Sequence, residues 1–192
     1  HGMSITLTAI DTGSNLLTHY TFNDGGKTPI QDYSQNANSG SASLSTNLST
    51  DAGYFGKGAT FVSSSYDHII LPSAISQENV QQYTIAFWVN RGTALNEGSA
   101  TYHNVVHSTK ANIIILEGAG SVTLRTPGVN SGFSGNNHGS GVTSGSWHHI
   151  ACTYDQVNSS VYINGVLAGA NNIGAGTVDF DSQVAIGTDP DA

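Results

Sequence analysis

The chain has 192 residues, of which 38% are hydrophobic and only 9% are charged, and its formal net charge is −8 at pH 7. Five basic residues cannot form the positive stripe that neutralises nucleic-acid phosphates, and this deficit also disfavours anionic membranes. No apolar run approaches the roughly 18 residues of a membrane span. We therefore expect neither a nucleic-acid partner nor insertion into a membrane.

The first residues, His-Gly-Met-Ser, are typical of an expression-tag scar. We treat residues 1–15 as this scar and an N-terminal extension, and residues 16–192 as one domain without internal repeats. Within the extension, "SITLTAI" alternates apolar and polar residues as a β-strand does.

Along the rest of the chain, apolar residues recur with period two, which predicts strands and almost no helix. Only residues 73–82 could hold a helical turn. The Asn-Gly pair in "VYINGVLAG" predicts a tight hairpin, and Gly-Ala-Gly predicts another between "NIIILEG" and "SVTLRT". Further strands are predicted at "YTIAFWV", "HIACTY" and "SQVAIG". About ten short strands indicate an all-β fold, an antiparallel two-sheet sandwich.

Two segments have the composition of loops, residues 34–52 and residues 127–146. The second is rich in Gly, Ser and Asn, and a loop of about 20 residues is long for a compact domain. Loops of that length often carry function, so we expect ligand contacts there.

The histidine pairs do not predict a zinc site. His148 and His149 are adjacent on a predicted strand, so their side chains leave on opposite faces. His103 and His107 flank Val-Val, which favours a strand, and four strand residues span about 13 Å, too far for one zinc ion. We interpret these histidines as solvated or structural, with His149 kept as a candidate ligand contact.

No pattern indicates catalysis. Cys152 shares a strand face with Ile150 and Tyr154, which is typical of a small buried side chain and not of a nucleophile. "GSGVTSGS" lacks the strand-turn-helix context of a nucleophile elbow. Paired glycosidase carboxylates on a strand usually lie two residues apart. The glutamates of this chain are far apart, and none has a second carboxylate two residues further on: Glu78, Glu97 and Glu117.

The sequence offers one candidate calcium site. "FNDGGKTPIQDYSQNANSG" places Asp24, Asp32, Asn36 and Asn38 on loops, and calcium takes six to eight oxygen ligands of this kind. We expect any Ca2+ site to use Asp24, Asp32 and Asn36. The alternative is that these residues form ordinary Asx turns.

Taken in order, the motifs resemble those of bacterial laminin G-like domains of the concanavalin A-like superfamily. They are "LLTHYTFNDG", "QDYSQNAN", "FGKGATFVSSSYDHIILP", "YTIAFWVN", "GSWHHIACTYD", "VYINGVLAG" and "VAIG". The resemblance implies a jelly roll of two curved antiparallel sheets, an extracellular location, and carbohydrate or protein binding, sometimes with calcium at the rim. Such modules belong to large surface proteins or to secreted polysaccharide-active enzymes.

The sequence departs from that family in two ways. The family's usual last strand after Ile-Gly is missing, since the chain stops at "TDPDA". We expect residues 4–11 to occupy some of that edge, or the first strand to stay partly unpaired. The acidic residue often found on that strand is also missing, which weakens the calcium assignment, and the Glu-x-Asp-x-x-Glu strand of glucanases on this fold is absent.

Sugar sites combine an aromatic platform with planar polar groups. Trp88 could be such a platform, although the family-like position favours a core tryptophan. Phe133 on the long loop could stack on a sugar or anchor the loop. The full set of expected ligand contacts lies on the central strands and the long loop: Tyr102, His107, Arg125, Phe133, Asn136, Asn137, His138 and His149.

We therefore predict a non-catalytic, lectin-like module of a secreted or cell-surface bacterial protein. Its expected partners are a glycan or polysaccharide and other domains of a larger surface protein. The first alternative is a structural or protein-binding adhesin module without a sugar site. The second is a polysaccharide-active hydrolase or lyase whose catalytic residues come from separate strands.

Overall fold

A computed structural model describes most of the chain: residues 16–24, 29–42, 49–61, 67–75, 77, 79–92, 102–108, 111–117, 120–125, 137–180 and 183–187. The regular structure of these residues is strands together with a 3₁₀ turn at Ser73–Ile75, where the sequence indicated a helical turn. The predicted all-β antiparallel sandwich is confirmed. In this part of the chain, no helix has the length and hydropathy to cross a bilayer.

Thirteen strands can be assigned in the described residues. They are β1 (Ser41–Ala42), β2 (Ser49–Ala52), β3 (Lys57–Thr60), β4 (His68–Ile70), β5 (Tyr83–Asn90), β6 (Tyr102–Ser108), β7 (Ala111–Glu117), β8 (Ser121–Leu124), β9 (Asn137–Ser140), β10 (Trp147–Tyr154), β11 (Asn158–Ile163), β12 (Val166–Asn172) and β13 (Val184–Gly187).

These strands form two large sheets and a separate hairpin. One sheet has the order β1-β4-β13-β6-β7-β8-β9, and the other has the order β12-β11-β10-β5. Strands β2 and β3 pair only with each other. Every pairing between these strands is antiparallel, as expected of a jelly roll.

The core lies between the two large sheets, and strand alternation decides which side chains enter it. In β10 every second side chain is buried, among them Ile150 and Cys152, whereas the residues between them are half-exposed. They pack with Ile69, Val122 and Leu124 of the seven-stranded sheet in one apolar cluster. The face of the four-stranded sheet turned away from this cluster is therefore free to carry polar and aromatic side chains.

Both hairpins predicted from the sequence are present. Asn164 and Gly165 join β11 to β12 with φ of 52° and 81°, the two positive values that a type I′ turn needs. Strands β7 and β8 pair antiparallel on either side of Gly-Ala-Gly.

The two predicted loops are not loops throughout, and this part of the prediction is wrong. Residues 34–52 contain β1 and β2, and residues 127–146 contain β9, which pairs with β8. A Cβ atom at Gly139 would lie 2.7 Å from the Ala168 carbonyl oxygen, so only glycine lets β9 run this close to β12. Residues 4–11 and 126–136 lie outside the described part of the chain, and the edge strand predicted at 4–11 stays a prediction.

Candidate functional site

The outer face of the four-stranded sheet carries an aromatic group. Trp88 of β5 and His149 of β10 are Cα partners, and both side chains point away from the core. Their ring centroids are 5.2 Å apart. The interpretation of Trp88 as a core tryptophan is wrong: the side chain is 36% exposed, because Tyr83, Ile85 and Phe87 already fill the inward face of β5.

The hairpin of β2 and β3 brings two further rings to this face. Tyr54 stacks on Trp88 with ring centroids 3.6 Å apart and an interplanar angle of 9°. Phe55 meets Tyr54 edge-on at 4.6 Å and Trp88 at 5.8 Å. Tyr54 is 49% exposed and Phe55 is 61% exposed, so the stack presents apolar ring surface to solvent.

Small residues and one amide hold the hairpin in place. Asn23 Oδ1 accepts a hydrogen bond of 2.9 Å from the Lys57 backbone N–H. Gly56 has φ of 69°, and a Cβ there would collide with the Asn23 amide oxygen. At Gly58, a Cβ would lie 3.5 Å from Cη2 of Trp147, so the hairpin runs directly beside that indole.

Together these side chains line an open concavity of about 530 Å³, which we call the aromatic concavity. Its lining residues are Tyr54, Trp88, Trp147, His149 and Asn164. Both tryptophans of the protein are among them. Flat ring faces with polar groups at their edges suit a ligand that is apolar on one face and carries hydroxyl groups around it.

Asn164, a lining residue of the aromatic concavity, makes hydrogen bonds within the protein. Its Oδ1 accepts from the backbone N–H of His149 at 2.9 Å, and its Nδ2 lies 3.1 Å from Nδ1 of His148. His148 is buried, and its Nε2 lies 3.1 Å from the Thr143 backbone nitrogen. The two adjacent histidines thus leave on opposite faces as predicted, with His148 tying the β11–β12 turn to residue 143.

The ligand contacts predicted from the sequence are distributed over both sheets. His149 lies in the aromatic concavity. Tyr102 and His107 lie on β6, Arg125 follows β8, and Asn137 and His138 lie on β9, all in the seven-stranded sheet. Phe133 and Asn136 lie outside the described residues. The described members of this set are therefore divided between the two large sheets, and His107 is buried.

His103 and His107 do occupy a strand, as predicted. Burial lowers the pKa of His103, and the nearby Arg91 charge lowers it further. Both effects favour a neutral imidazole within the sheet. Among the described residues, no three His, Cys, Asp or Glu side chains are grouped closely enough to bind a metal ion.

Sequence reasoning missed three of the five lining residues of the aromatic concavity, Tyr54, Trp147 and Asn164, and considered Trp88 as a platform but favoured a core position for it. One signal was available, because alternation in β5 and β10 places Trp88 and His149 on faces opposite to the core residues. No such signal in the sequence indicates that Tyr54 lies beside Trp88. It depends on where a separate hairpin packs, which strand periodicity does not encode.

The residues predicted for calcium make other bonds. Asp32 Oδ1 accepts from the backbone N–H groups of His19 and Ser34, and its Oδ2 accepts from the Ser34 hydroxyl and from the Asn38 N–H. The Asn36 amide donates to the Leu16 carbonyl oxygen.

Asp24 adds only one available carboxylate oxygen. Its Oδ2 accepts from Gln31 N–H, whereas its Oδ1 is buried with no hydrogen-bond donor among the described residues. Both oxygens of Asp32 are directed at N–H and O–H donors, which is the arrangement expected of the alternative, ordinary Asx turns. We expect these residues to serve as Asx turns and not as ligands of calcium, which takes six to eight oxygens.

Cys152 is a buried side chain, as its strand position predicted. It has no exposed surface, and burial raises the pKa of its thiol to about 12. At neutral pH the sulfur is therefore a protonated thiol inside the core cluster, and not a thiolate nucleophile.

Comparison with known families fits this architecture. Residues 63–192 match the family model of laminin G-like domains in the concanavalin A-like lectin/glucanases superfamily. The chain belongs to this superfamily. Tyr54 and Phe55 precede the matched segment, so the laminin G-like region contributes only part of the aromatic concavity. No curated protein sequence matches the laminin G-like chain.

Several solved structures share the fold of this laminin G-like protein. The binding domain of Paraclostridial Mosquitocidal Protein 1 superposes with a TM-score of 0.66 at 20% identity, covering 91% of this chain and 45% of that chain. Domain 4 of a GH43 extracellular arabinanase from Geobacillus stearothermophilus, in complex with arabinotriose, gives 0.54 at 20% identity, covering 90% and 83%. The receptor binding domain of botulinum neurotoxin D gives 0.59 at 15% identity, covering 85% and 42%. The chain thus spans less than half the length of the two toxin structures.

Proposed function

We propose that this laminin G-like protein is a non-catalytic, lectin-like glycan-binding module, and that the glycan binds in the aromatic concavity. The observation that carries the proposal is the solvent-exposed Tyr54–Trp88 stack beside Trp147 and His149. Exposed aromatic side chains grouped with polar rims are typical of binding surfaces in soluble proteins.

The chemistry of the surface suits a sugar ring. A pyranose or furanose has one face of C–H groups, which packs on an aromatic ring, and hydroxyl groups around its edge, which need hydrogen-bond partners. Tyr54 offers a hydroxyl, Trp147 an indole N–H and His149 an imidazole at the border of the aromatic concavity. These groups would orient the ring after stacking has placed it.

The fold relatives support this class of function. One of them, the arabinanase domain, has arabinotriose bound, and another is a receptor binding domain of a toxin. By analogy we place the protein outside the cell, secreted or on the surface of a bacterium, beside other domains of a larger protein.

A protein-binding role is the second candidate, and one observation favours it. Leu167 and Val166 of β12 are exposed, and Leu167 pairs with Tyr162 of β11. Together with the aromatic concavity they extend the apolar area of the same sheet, and large apolar areas also mark protein interfaces. A hydrolase or lyase role has no comparable support, since none of the five lining residues is a carboxylate.

The proposal predicts that Tyr54→Ala weakens glycan binding. Removing a stacked ring loses about 0.5–1.5 kcal/mol, so the Kd rises about two- to tenfold for the best ligand on a glycan array. Tyr33→Ala is the matched control, because Tyr33 is 53% exposed but does not line the aromatic concavity. Equal affinity of both variants and the unchanged protein for a bound glycan would move the site elsewhere. Binding of protein ligands and of no glycan would favour the second candidate.

A further inference from the structure

The aromatic concavity carries information about the charge of its ligand. Of the five lining residues, four are aromatic or amide side chains without a formal charge, and the fifth is the imidazole of His149. Among the residues that the structure describes, no carboxylate or ammonium group lines it, so this lining has no fixed charge to pair with a uronate, a sialate or a sulfate.

The basic residues that the structure describes give little help to an anionic ligand. Arg91 is buried, and its guanidinium donates to the Ser144 hydroxyl at 2.8 Å. Arg125 follows β8 in the seven-stranded sheet. Lys57 is exposed and begins β3, immediately after the hairpin turn that carries Tyr54. Among the basic residues that the structure describes, Lys57 is therefore the one that could reach the rim of the aromatic concavity.

The charge of the whole protein acts in the same direction. Thirteen acidic residues against five basic ones give a net charge of −8. The resulting potential repels a polyanion as it approaches. The repulsion is strongest at low salt, because the Debye length is about 30 Å at 0.01 M ionic strength.

The hydrogen-bonding capacity of the aromatic concavity is also limited. The Asn164 amide uses part of its capacity within the protein, because its Oδ1 accepts from the His149 N–H and its Nδ2 lies 3.1 Å from Nδ1 of His148. The remaining polar groups stand at the edges of rings. Affinity must therefore come mainly from stacking, which depends little on salt.

Resting on the proposed function, we infer that the ligand is an electrically neutral glycan, bound by stacking in the aromatic concavity and without a charge contact. A neutral polysaccharide built of unsubstituted pentoses or hexoses has this chemistry. An acidic polysaccharide of similar backbone does not.

The test uses the fluorescence of the two tryptophans, which both line the aromatic concavity and so report on any ligand there. The protein is titrated with neutral polymers (arabinan, xylan, mannan and β-glucan) and with acidic ones (polygalacturonate, alginate and heparin). Each titration is made at about 20 mM and about 500 mM NaCl, which covers weak to strong screening. We expect a neutral polymer to change the emission with a Kd that differs less than about twofold between the two salts.

Two variants separate the outcomes. Lys57→Gln should leave the Kd for the neutral polymer unchanged, whereas Tyr54→Ala should raise it. Tighter binding of an acidic polymer that weakens in salt and is lost in Lys57→Gln would overturn the inference while the proposed glycan-binding function stands. No change in emission with any polymer of either class would overturn the proposed function itself.

Discussion

At the scale of single residues, Asp32 is a carboxylate held by several hydrogen bonds. Its two oxygens accept four hydrogen bonds, from His19, Ser34 (two) and Asn38, and so join three stretches of the N-terminal half. Burial alone raises the pKa of this carboxyl, but the donated hydrogen bonds outweigh burial and bring its pKa below the ordinary 3.8. Asp32 is therefore a structural residue of these turns.

The first stability prediction concerns Asp32→Asn. An amide keeps the shape of the carboxylate but has one acceptor oxygen, so at least two of the donors lose their partner. Since Asp32 is buried, the expected loss is about 1–3 kcal/mol in the free energy of unfolding at pH 7. Urea unfolding followed by tryptophan fluorescence measures it.

The pH dependence provides the control for this prediction. Because the pKa of Asp32 is lower in the folded than in the unfolded protein, its contribution is complete above the unfolded pKa and is lost as the pH falls through the folded pKa. The stability difference between the unchanged protein and Asp32→Asn should be largest near pH 7 and shrink below about pH 4. If the stability difference instead stays constant down to about pH 3, the loss comes from packing and not from the ionised carboxylate.

Trp88 shows how far residue-level prediction from the sequence could go. Period-two alternation correctly separated Trp88 from Tyr83, Ile85 and Phe87, and His149 from Ile150. Alternation alone could not show which of the two faces of the strand is exposed to solvent. The structure answers this by packing: three bulky side chains of β5 already contact the core cluster, so the opposite face, with the indole, lies outside.

At the scale of elements, the strands with an apolar pattern were predictable, including the short β8 and β13, whereas the short polar strands β2 and β9 were not. Strands β5, β10 and β11 carry an alternating apolar pattern and the Asn-Gly turn, which are local signals. The sequences of β2, β3 and β9 are "STDA", "KGAT" and "NHGS", with no apolar face. Strands β2 and β9 lie in the two segments predicted as loops, because their conformation depends on pairing with β3 and β8 and not on an apolar pattern of their own.

The β2–β3 hairpin leads to a prediction at this scale. Asn23→Ala removes the acceptor of the Lys57 N–H without touching the aromatic concavity. Losing this hydrogen bond costs about 1 kcal/mol of local order, so the Lys57 amide should exchange about fivefold faster with deuterium. Because Tyr54 then spends less time on Trp88, the Kd for the glycan should rise as well.

Asn23→Asp is the matched variant for that experiment. A carboxylate at this position keeps an acceptor oxygen for Lys57 N–H, so it should restore both slow exchange and affinity. Global stability should change little in either variant, since Asn23 is exposed. Unchanged affinity in Asn23→Ala despite faster exchange would mean that the position of the hairpin does not limit binding.

At the scale of the whole molecule, the aromatic concavity combines two parts of the chain. Residues 63–192 match the laminin G-like family model and contribute Trp88, Trp147, His149 and Asn164. Tyr54 comes from the hairpin before that segment. Membership in the superfamily therefore accounts for the sandwich but not for the completed aromatic surface, which is why the resemblance predicted the fold better than the site.

Calcium provides the last prediction, because a bound ion would stabilise the whole domain. If the ion bound only the folded state, saturation at 100 times its Kd would add about 2.7 kcal/mol to the free energy of unfolding. The hydrogen bonds of Asp32 engage both carboxylate oxygens predicted to bind it. We therefore expect the Tm and the glycan Kd to be the same in EDTA and in millimolar CaCl₂.

Magnesium chloride at equal ionic strength controls for screening. A calcium-specific rise in Tm that vanishes in Asp32→Asn would contradict this expectation and place the ion at Asp32. A rise that persists in that variant would place the ion elsewhere in the protein, with Asp32 still engaged only in its turns.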